Sequence, residues 1–205
     1  MTSKLEKIIK DLKSGKPIIL VDDLDRENEG DLVVLASKAN KENLKFLINK
    51  GKGLMCIATD SRIIDRLDLK PMTNNSTDKN GTPFTISVDA ALNTTTGMSI
   101  DDRLETIKVF INNTSSSKDL NKPGHLFPLR ANEKLLLGRR GHTEGAVLLA
   151  RFASEKPVAI IVEIMNEDCY MMKGAELKNF AKENNLNIIS IEELVPYSKL
   201  KRNII

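Results

Sequence analysis

Short apolar segments alternate with amphipathic segments along almost the whole chain, and this alternation constrains the fold more than any other feature of the sequence. Residues 18–21, 31–36 and 158–165 are apolar runs short enough for buried strands. Residues 5–12 and 175–184 instead repeat apolar side chains at helical spacing. Because strands and helices interleave, the sequence predicts a layered α/β or α+β domain, although the spacing leaves the direction of the strands open.

The remaining segments follow the same pattern. Further strands are predicted at residues 55–58, 84–88 and 188–191. Further helices are predicted at residues 44–51, 62–67, 104–111, 144–154 and 191–200. Residues 68–83 are rich in turn-forming side chains, and residues 113–128 are predicted to form a long loop because they carry Pro123, Gly124 and Pro128.

Composition limits the class of protein. With 205 residues, 40% of them hydrophobic and 29% charged, the sequence predicts one globular domain over residues 1–205. A net charge of +3, 4% aromatic residues and no Trp disfavour nucleic-acid binding. The apolar runs are far shorter than the roughly 20 residues that span a bilayer, and the first residues are charged, so no membrane contact is expected. Two cysteines, Cys56 and Cys169, fit a reducing compartment, and we expect a cytoplasmic protein.

The connection between the first two predicted strands is unusually acidic. Residues 22–31 contain one base, Arg26, and six carboxylates: Asp22, Asp23, Asp25, Glu27, Glu29 and Asp31. Like charges at this density repel unless a cation neutralises them or some stay protonated, although a solvated turn is the ordinary alternative. A calcium loop is excluded because Ala36 stands where its bidentate Glu is required. A magnesium site remains compatible, since Mg2+ takes part of its coordination from water and substrate.

A second unusual segment, Gly-Arg-Arg-Gly-His-Thr-Glu-Gly at residues 138–145, precedes a predicted helix. Arginines bind phosphate oxygens through paired N–H groups, and a helix N-terminus offers free N–H groups to an anion. Thr143 is placed to cap the helix, and an ordinary capped helix with surface arginines is the alternative. His142 is one of only two histidines in the chain, which favours a phosphate site with a metal ligand beside it.

Two further residues are candidates for proton transfer. His125 lies in the segment braced by Pro123 and Pro128, and imidazole titrates near neutral pH; a structural turn residue is an equal alternative. Glu163 is a carboxylate in an otherwise apolar strand, where burial without a partner is unfavourable. A strand end at the rim of an active site would explain it and raise its pKa, whereas on an edge strand it would face solvent.

Together these groups suit a metal-assisted enolisation of a phosphorylated sugar. The arginines would bind phosphate, the acidic loop and His142 would bind a hard cation, and His125 with Glu163 would transfer the proton. A phosphosugar isomerase or aldolase would use the same groups. A small basic nucleic-acid-binding module is the non-enzymatic alternative; it predicts salt-dependent binding that is insensitive to EDTA, and the acidic loop argues against it.

Several distinct motifs follow one another along nearly the whole chain. They lie at residues 22–32, 59–60, 71–78, 84–90, 94–103, 123–129, 139–144, 163–168 and 189–194. In content and order they closely resemble those of the 3,4-dihydroxy-2-butanone 4-phosphate synthase family of riboflavin biosynthesis. The resemblance implies a homodimer of three-layer sandwiches, each a mixed sheet flanked by helices, with active sites near the subunit interface.

The resemblance also implies an activity. The expected enzyme is a lyase that converts D-ribulose 5-phosphate to L-3,4-dihydroxybutan-2-one 4-phosphate and formate, with Mg2+ or Mn2+ as cofactor. Enolisation would be followed by dehydration, a carbon shift and loss of the fourth carbon.

Residue by residue, Glu27 and His142 match the family's metal ligands. His125 and Glu163 match its essential catalytic pair. The residues that would hold the substrate and its phosphate are Arg26, Glu27, Asp31, Arg139, Arg140, Gly141, His142, Thr143 and Glu163. Asp22, Glu29 and Cys56 would line the pocket in lesser roles.

The chain departs from the family's usual pattern at three places. Cys169 and Tyr170 stand where Gly-Thr is usual. Gly145 stands where Ala is common, and Arg140 stands where a small residue is common. Arg140 therefore adds a charge beside the expected phosphate site.

Overall fold

The computed structural model describes residues 2–154 and 156–199, and within them seven strands form one mixed sheet. The strands are β1 (Ile18–Val21), β2 (Gly30–Leu35), β3 (Cys56–Thr59), β4 (Val88–Ala90), β5 (Leu120–Arg130), β6 (Val158–Glu163) and β7 (Ile188–Ser190). Their order across the sheet is β4-β5-β3-β6-β2-β1-β7. The pairs β1–β7 and β3–β5 are parallel, and the other neighbours are antiparallel.

Helices cover both faces of this sheet. They are α1 (Ser3–Ser14), α2 (Lys41–Gly51), α3 (Ser61–Arg66), α4 (Ile100–Ile111), α5 (His142–Ala153), α6 (Ala175–Glu183) and α7 (Ile191–Leu194). The first, fifth and seventh pack on one face, and the other four pack on the opposite face. The three-layer sandwich with a mixed sheet is therefore confirmed. Among the described residues, no helix has both the length and the apolarity needed to cross a bilayer.

The alternation of side chains along the strands decides which residues face α5. In β6, Ala159 and Ile161 pack on the α5 side, whereas Val158, Ile160 and Val162 pack on the other side. Alternate residues of a strand share a face, so Glu163, the last residue of β6, also faces α5. Both faces of this central strand are covered, which explains its continuous apolar run.

The strands on either side of β6 bring two more predicted site residues to the end of the sheet where Glu163 lies. Asp31 of β2 pairs in register with Glu163, and Cys56 of β3 pairs with Ile161. Antiparallel pairing of β1 with β2 makes residues 22–29 a hairpin loop at this end of the sheet. The α5 helix begins at the same end, so the acidic loop and the Arg-Gly-His-Thr segment converge.

Three secondary-structure predictions were wrong in part. The predicted loop at 113–128 contains most of strand β5, because proline is compatible with a strand where its missing N–H is not needed. Pro123 lies where the β4–β5 register shifts, and Pro128 contributes its carbonyl to the N–H of Thr85. The predicted strand at 84–88 forms only isolated bridges at Phe84 and Thr85 before β4 begins.

The third difference is at the end of the chain. The helix predicted at 191–200 ends at Leu194 and continues as a 3-10 turn over Val195–Lys199, while Leu200 lies outside the described residues.

Candidate active site

The acidic hairpin loop folds around the buried carboxylate of Asp22. Its Oδ2 accepts the backbone N–H of Glu27 at 3.2 Å, and its Oδ1 accepts the N–H of Glu29 at 2.9 Å. Arg26 donates from Nη1 to Asp22 Oδ2 and Glu27 Oε2, both at 2.8 Å. These contacts fix the loop backbone and leave the Glu27 carboxylate beside the start of α5.

Three side chains at this point form a cluster that suits a cation. Glu27 Oε2 lies 3.7 Å from His142 Nδ1. Asp22, Glu27 and His142 each offer one ligand atom, and these atoms lie within 4.8 Å of one another. Carboxylate oxygens with one imidazole nitrogen are donors that Mg2+ and Mn2+ accept. Asp22, for which the resemblance implied only a lesser role in lining the pocket, is therefore part of the cluster.

Two neighbouring carboxylates each have a buried oxygen whose negative charge no hydrogen bond within the described chain compensates. Asp31 Oδ1 and Glu163 Oε2 have no hydrogen-bond partner among the described residues, and buried unpaired negative charge is unfavourable. Asp31 Oδ1 lies 4.0 Å from His142 Nε2. The uncompensated charge at this end of the sheet is a second, independent sign that the residues fit a divalent cation.

Burial changes the protonation of this group. It raises the pKa of Asp31 to about 7, against the attraction of His142 and with the repulsion of Glu163. Burial likewise raises the pKa of Glu163 above its usual value. It also raises the pKa of the Cys56 thiol, with Glu163 and Asp31 adding to the effect. Because Glu163 ends a central strand, the alternative of a solvent-facing edge residue was wrong.

The start of α5 differs from the prediction in one respect. The helix begins at His142, its N-cap is Gly141, and no side chain caps it. The expected cap at Thr143 was wrong, because this residue is already inside the first turn and is buried. A Cβ on Gly141 would lie 2.1 Å from Arg139 Nη1, so only glycine allows Arg139 to lie against the helix start.

Arg139 is held from two sides. Nη1 donates to Oε2 of the fully buried Glu144 at 2.8 Å. Nε and Nη2 donate to the carbonyl of Asn80 at 3.2 and 3.1 Å, and Nη2 also donates to Thr82 Oγ1 at 3.3 Å. Asn80 in turn donates from Nδ2 to Glu27 Oε1 at 2.5 Å. One turn therefore connects the candidate phosphate arginine to the candidate metal ligand.

Asn80 and Thr82 were missed because the turn-rich composition of residues 68–83 carries no periodicity. The only sequence signal that could have found them is that they follow directly on the family motif at 71–78.

A cleft of about 260 Å³ joins these groups. The predicted site residues that line it are Arg26, Glu27, Glu29, Asp31, Cys56, Arg139, His142, Thr143 and Glu163. A larger cleft of about 510 Å³ beside α3 contains none of the predicted site residues. The structure thus brings together most of the residues that the sequence selected.

Four predicted residues do not line the cleft: Asp22, His125, Arg140 and Gly141. Asp22 and Gly141 act from behind it, in the acidic loop and at the N-cap of α5. Arg140 forms a two-pronged pair with Asp23 of the acidic loop, at 2.5 and 2.7 Å. His125 lies on β5, with Nδ1 2.7 Å from Asp89 Oδ2 and 43% of its side chain exposed. Within one chain, the structure does not bring His125 into the cleft with Glu163.

The unusual Cys169 and Tyr170 lie in the loop that follows Glu163, and both are exposed. Cys169 has φ of 62°, in the left-handed region that glycine adopts without strain. The Gly that is usual in the family at this position therefore matches the backbone conformation. Neither residue lines the cleft.

The fold and the cleft together define a class: a mixed α/β sandwich with a carboxylate–imidazole cluster and an anchored arginine at one end of its sheet. A family model described as 3,4-dihydroxy-2-butanone 4-phosphate synthase matches residues 6–197. The chain belongs to the 3,4-dihydroxy-2-butanone 4-phosphate synthase family.

Curated relatives fall into two lengths. The chain is 48% identical over 188 residues to riboflavin biosynthesis protein RibBA of Staphylococcus saprophyticus, covering 92% of the chain and 48% of that protein. It therefore spans about half the length of this relative and of its Staphylococcus aureus counterparts. It is 42% identical over 198 residues to 3,4-dihydroxy-2-butanone 4-phosphate synthase of Histophilus somni, covering 97% of the chain and 92% of that protein.

Solved structures are similar over nearly the whole chain. The two-domain 3,4-dihydroxy-2-butanone 4-phosphate synthase RibBX of A. baumannii superposes with a TM-score of 0.90 at 36% identity, covering 95% of this chain and 57% of that one. A 3,4-dihydroxy-2-butanone 4-phosphate synthase described in complex with two magnesium ions gives a TM-score of 0.88 at 33% identity, covering 96% of both chains.

Proposed function

We propose that this chain is a single-domain lyase that converts D-ribulose 5-phosphate to L-3,4-dihydroxybutan-2-one 4-phosphate and formate in riboflavin biosynthesis. The family match over residues 6–197 supports the reaction class. The observation that carries the proposal is the approach of Glu27 to His142, 3.7 Å apart, in the same cleft as Arg139 and Glu163. Two unpaired cysteines are consistent with action in the reducing cytoplasm.

Arg139 and Thr143 bind the phosphate in this proposal. Arg139 is already oriented by Glu144, so its guanidinium loses little freedom when an anion replaces the Asn80 carbonyl. Thr143 adds a hydroxyl in the first turn of α5, where the helix dipole favours negative charge. Arg26 and Asp31 face the same cleft and would bind the sugar hydroxyls.

Glu27 and His142 would hold a divalent cation, Mg2+ or Mn2+, with Asp22 beside them. Such a cation supplies positive charge next to the sugar oxygens that become negative when a proton leaves the carbon beside the ketone. Asp22 also keeps the loop backbone in place through the N–H groups of Glu27 and Glu29. The similar 3,4-dihydroxy-2-butanone 4-phosphate synthase in complex with two magnesium ions supports this cofactor class.

Glu163 is suited to carry a proton in the buried part of the cleft. Its Oε2 is buried without a hydrogen-bond partner, and burial raises its pKa, so the carboxyl exchanges a proton more readily near neutral pH than an exposed Glu does. Enolisation, loss of water, a carbon shift and release of the fourth carbon as formate would each need proton movement. We assign Glu163 and His125 to these transfers.

His125 would reach the cleft from a second copy of the chain. It does not line the cleft of its own chain, and its ring is partly exposed. Leu92 and Met98, in the loop that leads away from β4, expose apolar side chains at 73% and 52%. The same loop packs on the Asp89–His125 contact through Gly97. Exposed apolar residues favour an interface, and we therefore propose a homodimer with sites completed across it.

The test is a formate assay. Purified chain incubated with D-ribulose 5-phosphate and Mg2+ is expected to release one formate per substrate consumed, and EDTA is expected to stop the release until Mg2+ is restored. An isomerase or aldolase would consume the substrate without formate. Consumption without formate, or turnover unaffected by EDTA, would contradict the proposal.

A further inference from the structure

One carboxylate holds both the backbone and the ring of His125. Asp89 lies in β4, and its Oδ1 accepts the backbone N–H of His125 at 2.9 Å. Its Oδ2 lies 2.7 Å from Nδ1 of the same histidine. The β4–β5 register shifts between Val88 and Asp89, and such a bulge re-aims the side chains beside it. Asp89 is largely buried, whereas the His125 ring is partly exposed.

We infer that Asp89 is the positioning residue of His125, fixing its orientation and its tautomer for the proposed reaction. An ionised carboxylate only accepts hydrogen bonds, so the contact at Nδ1 requires a proton on Nδ1. In the neutral ring, Nε2 then keeps its lone pair and becomes the atom that takes up and returns a proton. The inference rests on the proposed function, in which His125 exchanges protons with the substrate.

A second set of contacts holds the pair in place. Gly97 has φ of 87°, and a Cβ there would lie 2.1 Å from Asp89 Oδ2 and 2.6 Å from His125 Nδ1. The backbone of the loop therefore packs directly on the Asp89–His125 contact. Asp102 fixes this loop by accepting the N–H groups of Thr95 and Gly97, at 2.9 and 3.0 Å, and the Thr95 hydroxyl at 2.8 Å.

A buried carboxylate that connects β4 to β5 could also have a purely structural role. The test must therefore separate a structural role of Asp89 from a positioning role. Asp89→Asn keeps the size of the side chain but places an N–H donor or a neutral carbonyl opposite Nδ1. We expect kcat for formate release to fall about 100-fold, a typical contribution of a positioned proton-transfer group. KM for D-ribulose 5-phosphate and the affinity for Mn2+ are expected to stay unchanged.

Asp101→Asn is the matched control. Asp101 lies in the first turn of α4, is exposed, and pairs with Lys41 rather than with His125. This variant removes the same charge from a neighbouring element and is expected to keep the kcat of the native enzyme. If Asp89→Asn keeps native kcat, or loses Mn2+ affinity together with kcat, the positioning role is overturned.

The tautomer can be read on the native chain, without any variant that must fold. With only two histidines, ring 15N shifts are simple to assign, and His125→Gln identifies the pair that disappears. At a pH where imidazole is neutral, we expect Nδ1 of His125 to be the protonated nitrogen and Nε2 the unprotonated one. Protonation at Nε2, or an equal mixture of tautomers, would overturn the inference even in an active synthase.

The two proposals fail in different ways. If the native chain releases no formate, the proposed function falls, whatever the tautomer. If formate is released but Asp89→Asn keeps the native kcat, and Nδ1 of His125 is not the protonated nitrogen, only the role of Asp89 is overturned.

Discussion

The cleft and the His125 region are built in contrasting ways. In the cleft, Glu27 and His142 come from segments more than a hundred residues apart, and both are held by the acidic loop, Glu27 through Asp22 and His142 through the Glu29 carbonyl. Among the described residues, the side-chain partner of His125 is Asp89, and its partly exposed ring does not line the cleft of its own chain. In the proposed function, one chain therefore assembles the ligand-binding groups, and the proton-transfer histidine acts from a second copy of the chain. Variants in the two regions should therefore separate binding from turnover.

The largest expected effect is at Glu163, which belongs to the cleft but not to the metal cluster. Glu163→Gln is expected to abolish formate release, because the amide cannot exchange a proton. Binding of Mn2+, measured by electron paramagnetic resonance, should be retained, since Asp22, Glu27 and His142 are untouched. Glu167→Gln is the control, because Glu167 is 95% exposed and pairs only with Lys52 among the ion pairs of the described chain. A native rate in Glu163→Gln would contradict the proton-transfer role.

The two histidines test the difference between the cleft and the His125 region most directly. His142→Ala is expected to weaken Mn2+ binding by at least about 10-fold and to abolish turnover at limiting Mg2+, because it removes a ligand from the cluster. His125→Ala is expected to abolish formate release with Mn2+ affinity unchanged. Full activity of His142→Ala at limiting Mg2+, or equal loss of Mn2+ binding in both variants, would remove the distinction between the two regions.

The same contrast explains what the sequence could predict. The acidic loop and the segment around His142 are unusual in composition on their own, so a cation site formed by the two was predictable, whereas Glu27 was selected among the six carboxylates only through the family resemblance. Asp89 and Asn80 are ordinary polar residues in sequence, and their meaning depends on His125 and Arg139, which the fold brings from distant positions. Strand β5 was missed because its prolines are loop formers by propensity, and only pairing with β3 and β4 overrides that preference.

A pH-dependent effect is expected at the loop that covers His125. Hydrogen bonds from the Thr95 backbone and side chain, from Ser99 and from Gly97 hold the pKa of Asp102 at about 2. Because the folded pKa lies below the unfolded value of about 4, Asp102 stabilises the fold above pH 4, and this contribution disappears as the pH falls toward 2. Asp102→Asn should therefore unfold at lower urea than the native chain at pH 7, and the two midpoints should converge near pH 2. A difference in midpoint that is independent of pH would contradict this account.

The smallest expected effect concerns Arg140, the family departure that bridges the acidic loop and the start of α5. Its pair with Asp23 is two-pronged, but 46% of the Arg140 side chain is exposed, and exposed pairs contribute about 0.2–1 kcal/mol. If Arg140 acts by holding the loop, Arg140→Ala and Asp23→Asn should each weaken Mn2+ binding by a similar factor, no more than about five-fold. If Arg140 instead binds phosphate, only Arg140→Ala should raise KM for D-ribulose 5-phosphate. Because Asp22 holds the loop independently, a loss much larger than five-fold in either variant would show that the loop depends on this exposed pair.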